Sequence, residues 1–393
     1  MRRGKSGADP IAIIHQDLDA AADAQIRLPG QQALVVFWVN DTPVGQIYAE
    51  HQPDGCIMLG ELVQAAVSRR AVLAARALSS AVGSTRVSVV ICTRDRSDAL
   101  ARCLASLQQQ SRRPDQVLVV DNASRDGRTE AAARAAGVEY VREDRPGLDI
   151  ARNTGVLHAT GDIVAYTDDD IVLHPRWLER MTAAFDALDI MSVTGLVLPA
   201  ELETPAQQVF EDHWGFGRGF ERIDFGREFF AAHRRHGCPT WEIGAGASMA
   251  FRRKAFDLVG LFDERLDVGA AGCSGDSEYW HRLLVAGWRC RYEPAAVAFH
   301  YHRRTFEGLS RQLHAYMRGH VVALLVQFKR NRSWGDLRRL FITLPRWYAK
   351  RGLKRLLRGQ DPSTMFLWPE VKGSVGGLLY YLGSSLPSKH SKS

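Results

Sequence analysis

Short apolar runs alternate with helix-like segments through the middle of the chain. The runs are rich in Val and Ile, as is typical of strands buried in a parallel sheet, and they cover residues 87–92, 116–120, 138–141 and 162–166. Helical spacing follows the first run at Leu100, Leu104 and Leu107, and an alanine-rich helix is predicted over residues 129–136. The order β-α-β-α-β-α-β predicts an α/β fold whose parallel sheet is covered by helices on both faces.

Polar and acidic side chains follow these runs where the strands are predicted to end. They are Thr93 and Asp95 after the first strand, Asp121 after the second, and Asp168, Asp169 and Asp170 after the fourth. Ligands of such sheets bind outside the carboxyl ends of the strands. We therefore expect these side chains to share one site.

Three consecutive carboxylates at residues 168–170 repel one another unless a cation lies between them. Mg²⁺ and Mn²⁺ take oxygen ligands, and they commonly bridge one or two carboxylates to the phosphates of a substrate. The run therefore indicates a metal site for a phosphorylated ligand. A solvated acidic loop or helix N-terminus is the competing interpretation, and from this run alone it is the more frequent one.

Five strings lie in a fixed order within residues 85–305. They are residues 89–96 (VVICTRDR), 119–127 (VVDNASRDG), 151–155 (ARNTG), 167–170 (TDDD) and 275–278 (GDSE), with Arg282 and Gly287 after the last. Each string is weak alone, but together they resemble the family 2 nucleotide-sugar glycosyltransferases of the GT-A fold. The resemblance implies a Rossmann-like, mostly parallel central sheet flanked by helices.

The resemblance also implies roles for the residues that would bind the nucleotide. Asp121 would contact the nucleobase, Arg152 would help hold the nucleotide, and Asp168 would lie near the ribose. Thr93 and Asp95, at the end of the first strand, are expected to contribute further nucleotide contacts. The donor implied is a nucleoside diphosphate sugar.

A metal site on the diphosphate follows from the same resemblance. Asp170, with Asp169, would hold Mn²⁺ or Mg²⁺. His300 and His302 alternate on a predicted strand, so they point to one face. Relatives place a histidine here near the ion, and both are predicted as metal or phosphate contacts; a purely structural pair is the alternative.

Asp276 is predicted to be the catalytic base. The acceptor hydroxyl must lose its proton as it attacks the anomeric carbon, so one carboxylate must face it from the side opposite the leaving group. A base on that face implies inversion of the anomeric carbon. Asp276 follows a glycine-rich loop at a helix N-terminus, and a simple helix N-cap is the competing interpretation. Many relatives carry Glu where this chain has Gly275, which leaves the acceptor contacts of that Glu unassigned.

The segment 241–251 resembles the acceptor side of the family. Trp241, Gly244 and Gly246 are predicted to lie there, since small residues let the backbone approach a ligand closely. A tightly packed core strand is the alternative. Glu278 is also placed on the acceptor side and is the next candidate for the base.

Two appendages flank the predicted catalytic domain, residues 83–305. Residues 1–82 form a small α+β region, with a hairpin from strands at 33–39 and 44–48 and a helical pattern over 61–78. Residues 306–393 form a basic helical region. The domain boundaries rest on these shifts in pattern.

The net charge of +7 is concentrated near the C-terminus, where residues 303–358 hold 15 Lys or Arg and two acidic residues, Glu307 and Asp336. A basic helix with Trp, Phe and Leu on one face is typical of a segment on an anionic bilayer. Packing on the catalytic domain is the alternative, and no nucleic-acid-binding motif accompanies the charge. The chain has no signal peptide pattern, no apolar run long enough to cross a membrane, and six cysteines without C-x-x-C spacing. We expect a cytoplasmic protein that associates with the inner face of the membrane.

The sequence thus predicts an inverting, metal-dependent glycosyltransferase that acts on a glycan or lipid-linked acceptor in cell-surface glycan assembly. A catalytically idle relative, which binds a nucleotide sugar or acts as a scaffold at the membrane, is the alternative, suggested by Gly275. A nucleotidyltransferase is disfavoured because the first strand lacks a glycine-rich phosphate loop followed by a basic cluster.

Overall fold

The computed structural model describes residues 9–19, 25–27, 30–50, 56–77, 85–359, 361–362 and 364–385. Its N-terminal unit contains β1 (Ala12–Asp17), β2 (Gln25–Arg27), β3 (Gln32–Val39), β4 (Thr42–Glu50), β5 (Cys56–Met58), α1 (Leu59–Ala66) and α2 (Arg69–Ala77). The hairpin of β3 and β4 is present as predicted, and its turn places Asn40 and Asp41 at φ 48° and 57°, as a two-residue type I′ turn requires. The helix predicted over 61–78 is two helices, because Val67 bridges to Gly45 of β4 between them.

The N-terminal unit packs on the central sheet rather than standing apart. Leu34, Val36 and Trp38 from alternate positions of β3 belong to the same buried cluster as the central strands. The ring of Trp38 stacks on His174 with centroids 5.3 Å apart. The opposite face of the hairpin is covered by α1 and α2.

Within the described residues, the central sheet has nine strands. In chain order they are β6 (Val87–Thr93), β7 (Gln116–Asn122), β8 (Glu139–Glu143), β9 (Ile163–Asp168), β10 (Ile171–Leu173), β11 (Ile190–Pro199), β12 (Ile223–Phe225), β13 (Ser248–Arg252) and β14 (Arg289–His300). Their order across the sheet is β10-β14-β11-β13-β9-β6-β7-β8, and β12 pairs with β14. The strands β9, β6, β7 and β8 are all parallel, so the predicted Rossmann-like half is confirmed.

Helices cover both faces of this sheet. They are α3 (Ser97–Gln108), α4 (Arg128–Ala135), α5 (Leu148–His158), α6 (Trp177–Ala183), α7 (Pro205–Trp214), α8 (Arg227–His233), α9 (Lys254–Val259) and α10 (Gly275–Val285). Alternation along β6 sends Val90 into one buried cluster and Val89 and Ile91 into the other. The predicted α/β architecture with two covered faces is confirmed.

The C-terminal region is helical and partly buried. It contains α11 (Phe306–Asn331), α12 (Trp334–Arg338), a π-helical turn (Arg339–Thr343), α13 (Leu344–Arg358) and α14 (Leu367–Ser385). Val322, Ala323 and Val326 of α11 pack against Leu266 and Ala271 of the predicted catalytic domain. The apolar run of α11 is therefore core, whereas α13 and α14 expose a series of large apolar side chains.

Two observations bear on the expected location. No helix among the described residues combines the length and apolar character needed to cross a bilayer. The five cysteines whose side chains are described, Cys92, Cys103, Cys238, Cys273 and Cys290, are free thiols, and the side chain of Cys56 lies outside the described residues. Location at the inner face of a membrane stays a prediction.

Candidate active site

The strand register brings three predicted site residues to one edge of the sheet. Thr93 pairs with Asp121 across β6 and β7, and Cys92 pairs with Asp168 across β6 and β9. Asp168 is the last residue of β9, and Asp169 and Asp170 form the tight turn into β10. Parallel strands thus carry these acids to their carboxyl ends, as the sequence predicts.

A cavity of about 1130 Å³ opens beside this edge. The predicted site residues that line it are Arg152, Asp168, Trp241, Gly244, Gly246 and Asp276. Its walls come from the loops of the catalytic domain, from α11 and α13, and from the π-helical turn between α12 and α13. The catalytic domain and the C-terminal region therefore share one cavity.

Three predicted nucleotide contacts, Thr93, Asp95 and Asp121, lie outside the lining of this cavity, and so do the four predicted metal contacts. Asp121 is buried, and it accepts hydrogen bonds from the Tyr140 hydroxyl at 2.8 Å and the Ser124 amide at 2.9 Å. Asp95 accepts from the amide and the Nε of Arg125, at 2.8 and 3.0 Å, and the amide bond is the main reason that its pKa is lowered. Both carboxylates order the loops after β6 and β7, and their contact with a nucleotide stays a prediction.

Arg96 pairs with two carboxylates of the acidic run. Its Nη1 donates to Asp169 Oδ1 at 2.9 Å and to Asp170 Oδ2 at 3.0 Å. The Thr93 hydroxyl donates to the other oxygen of Asp169 at 2.7 Å. Asp169 and Thr93 therefore hold the turn, and the metal contact of Asp169 and the nucleotide contact of Thr93 stay predictions.

The neighbouring carboxylates Asp168 and Asp170 have different environments. Burial raises the pKa of Asp168 to about 7, and the charge of Asp170 adds to the effect. Burial acts in the same direction on Asp170, but His300 and Arg96 outweigh it, so the pKa of Asp170 is lowered. Asp170 is therefore the carboxylate of this run that stays ionised most readily.

His300 lies next to Asp170, with its Nε2 3.5 Å from Oδ1 of that carboxylate. Its Nδ1 is 2.8 Å from Nδ1 of His302, and Nε2 of His302 is 3.0 Å from Glu211 Oε2. If the Glu211 carboxylate accepts from Nε2–H, then Nδ1 of His302 is an acceptor and His300 Nδ1–H donates to it. This network leaves the lone pair of His300 Nε2 facing Asp170.

Asp170 and His300 fit a divalent cation, since an oxygen and an unprotonated imidazole nitrogen face the same space. No set of three or more His, Cys, Asp or Glu side chains in the described ranges is arranged to hold a metal. Two protein ligands suit Mg²⁺ or Mn²⁺, which take their remaining ligands from phosphates and water. His302 has partners on both nitrogens and so orients His300, and its role as a metal or phosphate contact stays a prediction.

Arg152 lies in a buried network at the base of the cavity. Its Nη1 donates to Asp149 Oδ1 at 2.9 Å and to Asp267 Oδ2 at 2.7 Å. Asp149 Oδ2 has no hydrogen-bond partner in the described structure, and burial, with the charge of Asp267, raises its pKa well above the ordinary value. A Cβ at Gly275 would clash with that oxygen, so Asp149 occupies the space next to the position where relatives carry Glu.

Asp276 lies on the cavity wall, in the first turn of α10. Its Oδ2 accepts from the Gly246 amide at 2.8 Å, and its Oδ1 accepts from the Ser277 amide at 2.6 Å. Burial, with the nearby charge of Asp267, raises the pKa of Asp276. Ser274 occupies the N-cap position, so Asp276 is not the N-cap residue that the competing interpretation requires.

Gly246 must be small because of this contact. A Cβ there would lie 2.8 Å from Asp276 Oδ2 and 3.0 Å from Arg152 Nη2. Gly244 has φ +159°, and a Cβ there would press on Thr194. Gly246 thus brings the backbone against the candidate base, Gly244 packs on Thr194, and the contact of this segment with an acceptor stays a prediction.

Glu278 lies away from the cavity, which corrects its assignment to the acceptor side. It is fully buried, and it accepts from Arg282 Nε at 2.9 Å and from Arg330 Nη1 at 3.0 Å. These bonds join α10 to α11. Glu278 is therefore a structural ion-pair residue and no longer a candidate for the base.

Comparison with known proteins identifies the class. Residues 88–260 match the family model described as glycosyl transferase family 2. The glycosyltransferase AglE of Haloferax volcanii is 26% identical over 234 residues, which cover 58% of this chain and 70% of that protein. The pre-mycofactocin glycosyltransferase of Mycobacterium tuberculosis is 30% identical over 223 residues, which cover 55% of this chain and 43% of that protein.

A solved structure shows the same fold. The mannosyltransferase PcManGT from Pyrobaculum calidifontis, in complex with GDP-Man and Mn²⁺, has a TM-score of 0.53 at 19% identity, and the match covers 75% of this chain and 87% of that one. With the family match over residues 88–260, this likeness gives the chain a GT-A fold. It is a glycosyltransferase by class.

Proposed function

We propose that this chain is an inverting, metal-dependent glycosyltransferase that moves a sugar from a nucleoside diphosphate donor to an acceptor hydroxyl during cell-surface glycan assembly. The observation that carries the proposal is the position of Asp276, whose carboxylate lies on the wall of the same cavity as Asp168 and Arg152. The GDP-Man and Mn²⁺ bound to the Pyrobaculum calidifontis enzyme support the donor and metal classes.

Asp276 would take the acceptor proton. As the hydroxyl oxygen forms its bond to the anomeric carbon, the bond from that carbon to the diphosphate breaks, and the diphosphate leaves with the electron pair. The proton passes to the Asp276 carboxylate, whose Gly246 and Ser277 amide bonds fix its orientation. Attack from the face opposite the leaving group inverts the anomeric carbon.

Asp170 and His300 would hold the cation. When bound, a divalent cation neutralises the negative charge that develops on the leaving diphosphate. Arg303 Nη1, 3.8 Å from Asp170 Oδ2, adds a fixed positive charge beside the same carboxylate. The role of Arg96 is to hold Asp169 and Asp170 in place through their paired oxygens.

The test combines donor binding with product analysis. UDP-, GDP- and dTDP-sugars are screened for an increase in the thermal midpoint with Mn²⁺ and with a chelator, because a ligand that binds only the folded state stabilises it. The selected donor is then given acceptor alcohols, and NMR assigns the anomeric configuration of the product. Equal donor affinity with Mn²⁺ and with chelator would contradict metal dependence, and a retained configuration would contradict the single-base mechanism.

A catalytically idle relative that binds a nucleotide sugar, or acts as a scaffold at the membrane, is the second candidate. The observation that favours it is Gly275, which removes the Glu that many relatives place before the catalytic Asp. Asp149 places a carboxyl group beside that position, so this part of the site still holds a carboxyl group. Donor binding without release of nucleoside diphosphate, across the donor and acceptor panels, would favour the idle protein.

Association with an anionic membrane surface is part of the proposal. The outer faces of α13 and α14 expose large apolar residues, among them Leu356, Leu357 and Trp368, and the segment 303–358 carries 15 basic residues against two acidic ones. Exposed apolar side chains among basic ones suit insertion into the headgroup region of an anionic bilayer. In this arrangement α11 is the packed part of the C-terminal region and α13 is the surface part.

A further inference from the structure

Two arginines meet at Trp241, away from the acidic run. The guanidinium carbon of Arg339 lies 4.1 Å from the centroid of the Trp241 ring, and Arg218 Nη2 donates to the Trp241 carbonyl at 3.0 Å. All three residues line the cavity. We call Arg218, Trp241 and Arg339 the Trp241 cluster.

Neither arginine of the Trp241 cluster has an ion-pair partner within the described ranges. Arg218 donates only to backbone carbonyls there, and its Nε has no partner. Arg339 donates through Nε to the Nε2 of His320, at 2.9 Å, and its terminal amino groups make no hydrogen bond to a described residue. Burial lowers the pKa of both guanidinium groups, that of Arg339 to about 10, so both remain charged near neutral pH.

Glu242, next to Trp241, lines the same cavity and acts on both guanidinium groups through its charge, and Asp336 acts on Arg339, but neither carboxylate forms an ion pair with them. Two partly buried cations without a directly paired carboxylate favour an anion that completes the site. Guanidinium groups suit the oxygens of a phosphate, which is anionic near neutral pH as a monoester or as a diester. The acids that line the cavity near Arg152 are already held by that residue or by backbone amides. The Trp241 cluster thus points to an anionic ligand.

The cavity that the Trp241 cluster lines also has large apolar residues among its charged ones. They include Trp214, Phe216, Met317, Leu344 and Trp347. Trp347 also exposes 42% of its surface, and Phe341, in the π-helical turn before α13, exposes 57%. Apolar surface therefore continues from the cavity wall to the outer face that we propose to lie on the membrane.

We infer that the Trp241 cluster is the headgroup site for an acceptor that carries a phosphate on an apolar chain, with Arg218 and Arg339 at the phosphate and the apolar wall along the chain. The inference rests on the proposed function, because it names the acceptor of the same site. Gly246, which contacts Asp276, is five residues from Trp241, so the two are at most about 18 Å apart along the chain. A sugar that is linked through a phosphate to the apolar chain can therefore place a hydroxyl within that range of the base while its phosphate lies at the cluster.

The experiment measures binding of three probes by titration calorimetry, below the aggregation limit of the lipids. Farnesyl phosphate carries the charge and the chain, farnesol carries only the chain, and inorganic phosphate carries only the charge. Farnesyl phosphate is expected to bind best to the wild-type chain. Arg339→Gln is expected to weaken it by roughly 10- to 100-fold, since a hydrogen bond to a charged group contributes about 1.5–3 kcal/mol.

Arg338→Gln is the matched control, since it removes the same charge one residue earlier, from an exposed side chain that does not line the cavity. It is expected to leave farnesyl phosphate affinity within about twofold of wild type. Arg218→Gln provides a second variant in case Arg339→Gln is unstable. Equal weakening by Arg338→Gln, or equal affinity for farnesol and farnesyl phosphate, would overturn the inference.

Two further outcomes separate the possibilities. Inorganic phosphate that binds as tightly as farnesyl phosphate would remove the lipid chain from the proposal and indicate a soluble phosphorylated acceptor. Donor binding with Mn²⁺, measured by thermal stabilisation of the same variants, is expected to be unchanged by Arg339→Gln. If farnesyl phosphate binds through Arg339 but no nucleotide sugar binds, the proposed function is refuted. The anionic site at the Trp241 cluster is then still supported.

Discussion

The two ends of the cavity differ in whether their arginines are paired with carboxylates. At the acidic end, Arg152 on the cavity wall pairs with Asp149 and Asp267, and outside the lining Arg96 pairs with Asp169 and Asp170, which follow the wall residue Asp168. At the Trp241 cluster, Arg218 and Arg339 have no carboxylate partner among the described residues. Paired charges fix geometry before a ligand binds, whereas unpaired ones are completed by the ligand. We therefore expect substitutions at the acidic end to damage catalysis or folding, and substitutions at the Trp241 cluster to change which acceptor binds.

The largest effect is expected at the residue between the two ends. Asp276→Asn keeps the size of the side chain and an oxygen that accepts from the Gly246 amide. It removes the base, so the single-turnover transfer rate should fall by about 10²- to 10⁴-fold. Donor affinity should stay near wild type, because the cation and nucleotide contacts lie elsewhere. Near-normal transfer by this variant would place the base on another group.

The pH dependence of kcat gives an independent check on Asp276. Burial and the charge of Asp267 raise the pKa of this carboxyl. The base acts only when it is deprotonated, so kcat should fall as the pH falls, with a midpoint above that of an ordinary aspartate. The exposed carboxylate Glu203 offers a control, since Glu203→Gln should leave the profile unchanged. A fall in kcat centred at the pKa of an ordinary aspartate would contradict the role of burial.

The metal arrangement at the acidic end is tested through Glu211, which does not line the cavity. Glu211→Gln removes the carboxylate that sets the proton positions of His302 and His300. Partners behind a metal ligand typically contribute 10- to 100-fold to metal affinity, so calorimetry with Mn²⁺ and a nucleoside diphosphate should show a loss of about that size. Mn²⁺ affinity equal to wild type would mean that His300 needs no such orientation or is not a ligand.

The internal packing of the acidic end is tested at Gly275. Gly275→Ala brings a Cβ against the buried oxygen of Asp149, and such overpacking typically costs about 1–3 kcal/mol. Urea unfolding should show this loss in the free energy of unfolding, and the loss should shrink when Asp149→Ala is present. Gly127→Ala is the control, since a Cβ there meets open space. An equal cost in both backgrounds would show that the clash is with another group.

The smallest effect is expected beyond the Trp241 cluster, on the outer face of α13. Leu356 and Leu357 expose 82% and 73% of their surfaces. Replacing both with Ser should weaken sedimentation with anionic liposomes by about tenfold, because each loses part of the 1.5–3 kcal/mol that a buried leucine contributes. Leu188→Ser, also at an exposed leucine but on the catalytic domain, should not change it. Equal sedimentation of all variants would show that the outer face of α13 does not contact the membrane.

The sequence predicts the parts of the site that depend on short stretches of chain. The strands, the acids after them and the glycines near Asp276 follow from local pattern and from the topology of a parallel sheet. The pairing of Glu278 was missed, although Arg282 four residues later on the same helix is the spacing of an ion pair. That spacing favours a structural ion pair for Glu278 over a contact with the acceptor.

The remaining features depend on contacts between distant segments. Arg152 and Asp267 are 115 residues apart in sequence, and nothing in either segment indicates that they pair. Arg218 and Arg339 meet at Trp241 only because the C-terminal region folds back over the catalytic domain. Local pattern shows that the C-terminal region is basic, but it does not distinguish the arginines that face the cavity from those that face solvent.

The π-helical turn Arg339–Thr343 has a consequence for how this end of the molecule is built. Such a turn holds one residue more than an α-helical turn, and each added residue rotates the following side chains by about 100° around the axis. Without it, α13 would turn Leu344 and Trp347 away from the wall that they now form. The pocket around Arg339 thus depends on how α13 is rotated about its axis. Inserting or deleting one residue in the π-helical turn would therefore alter the pocket more than most side-chain substitutions.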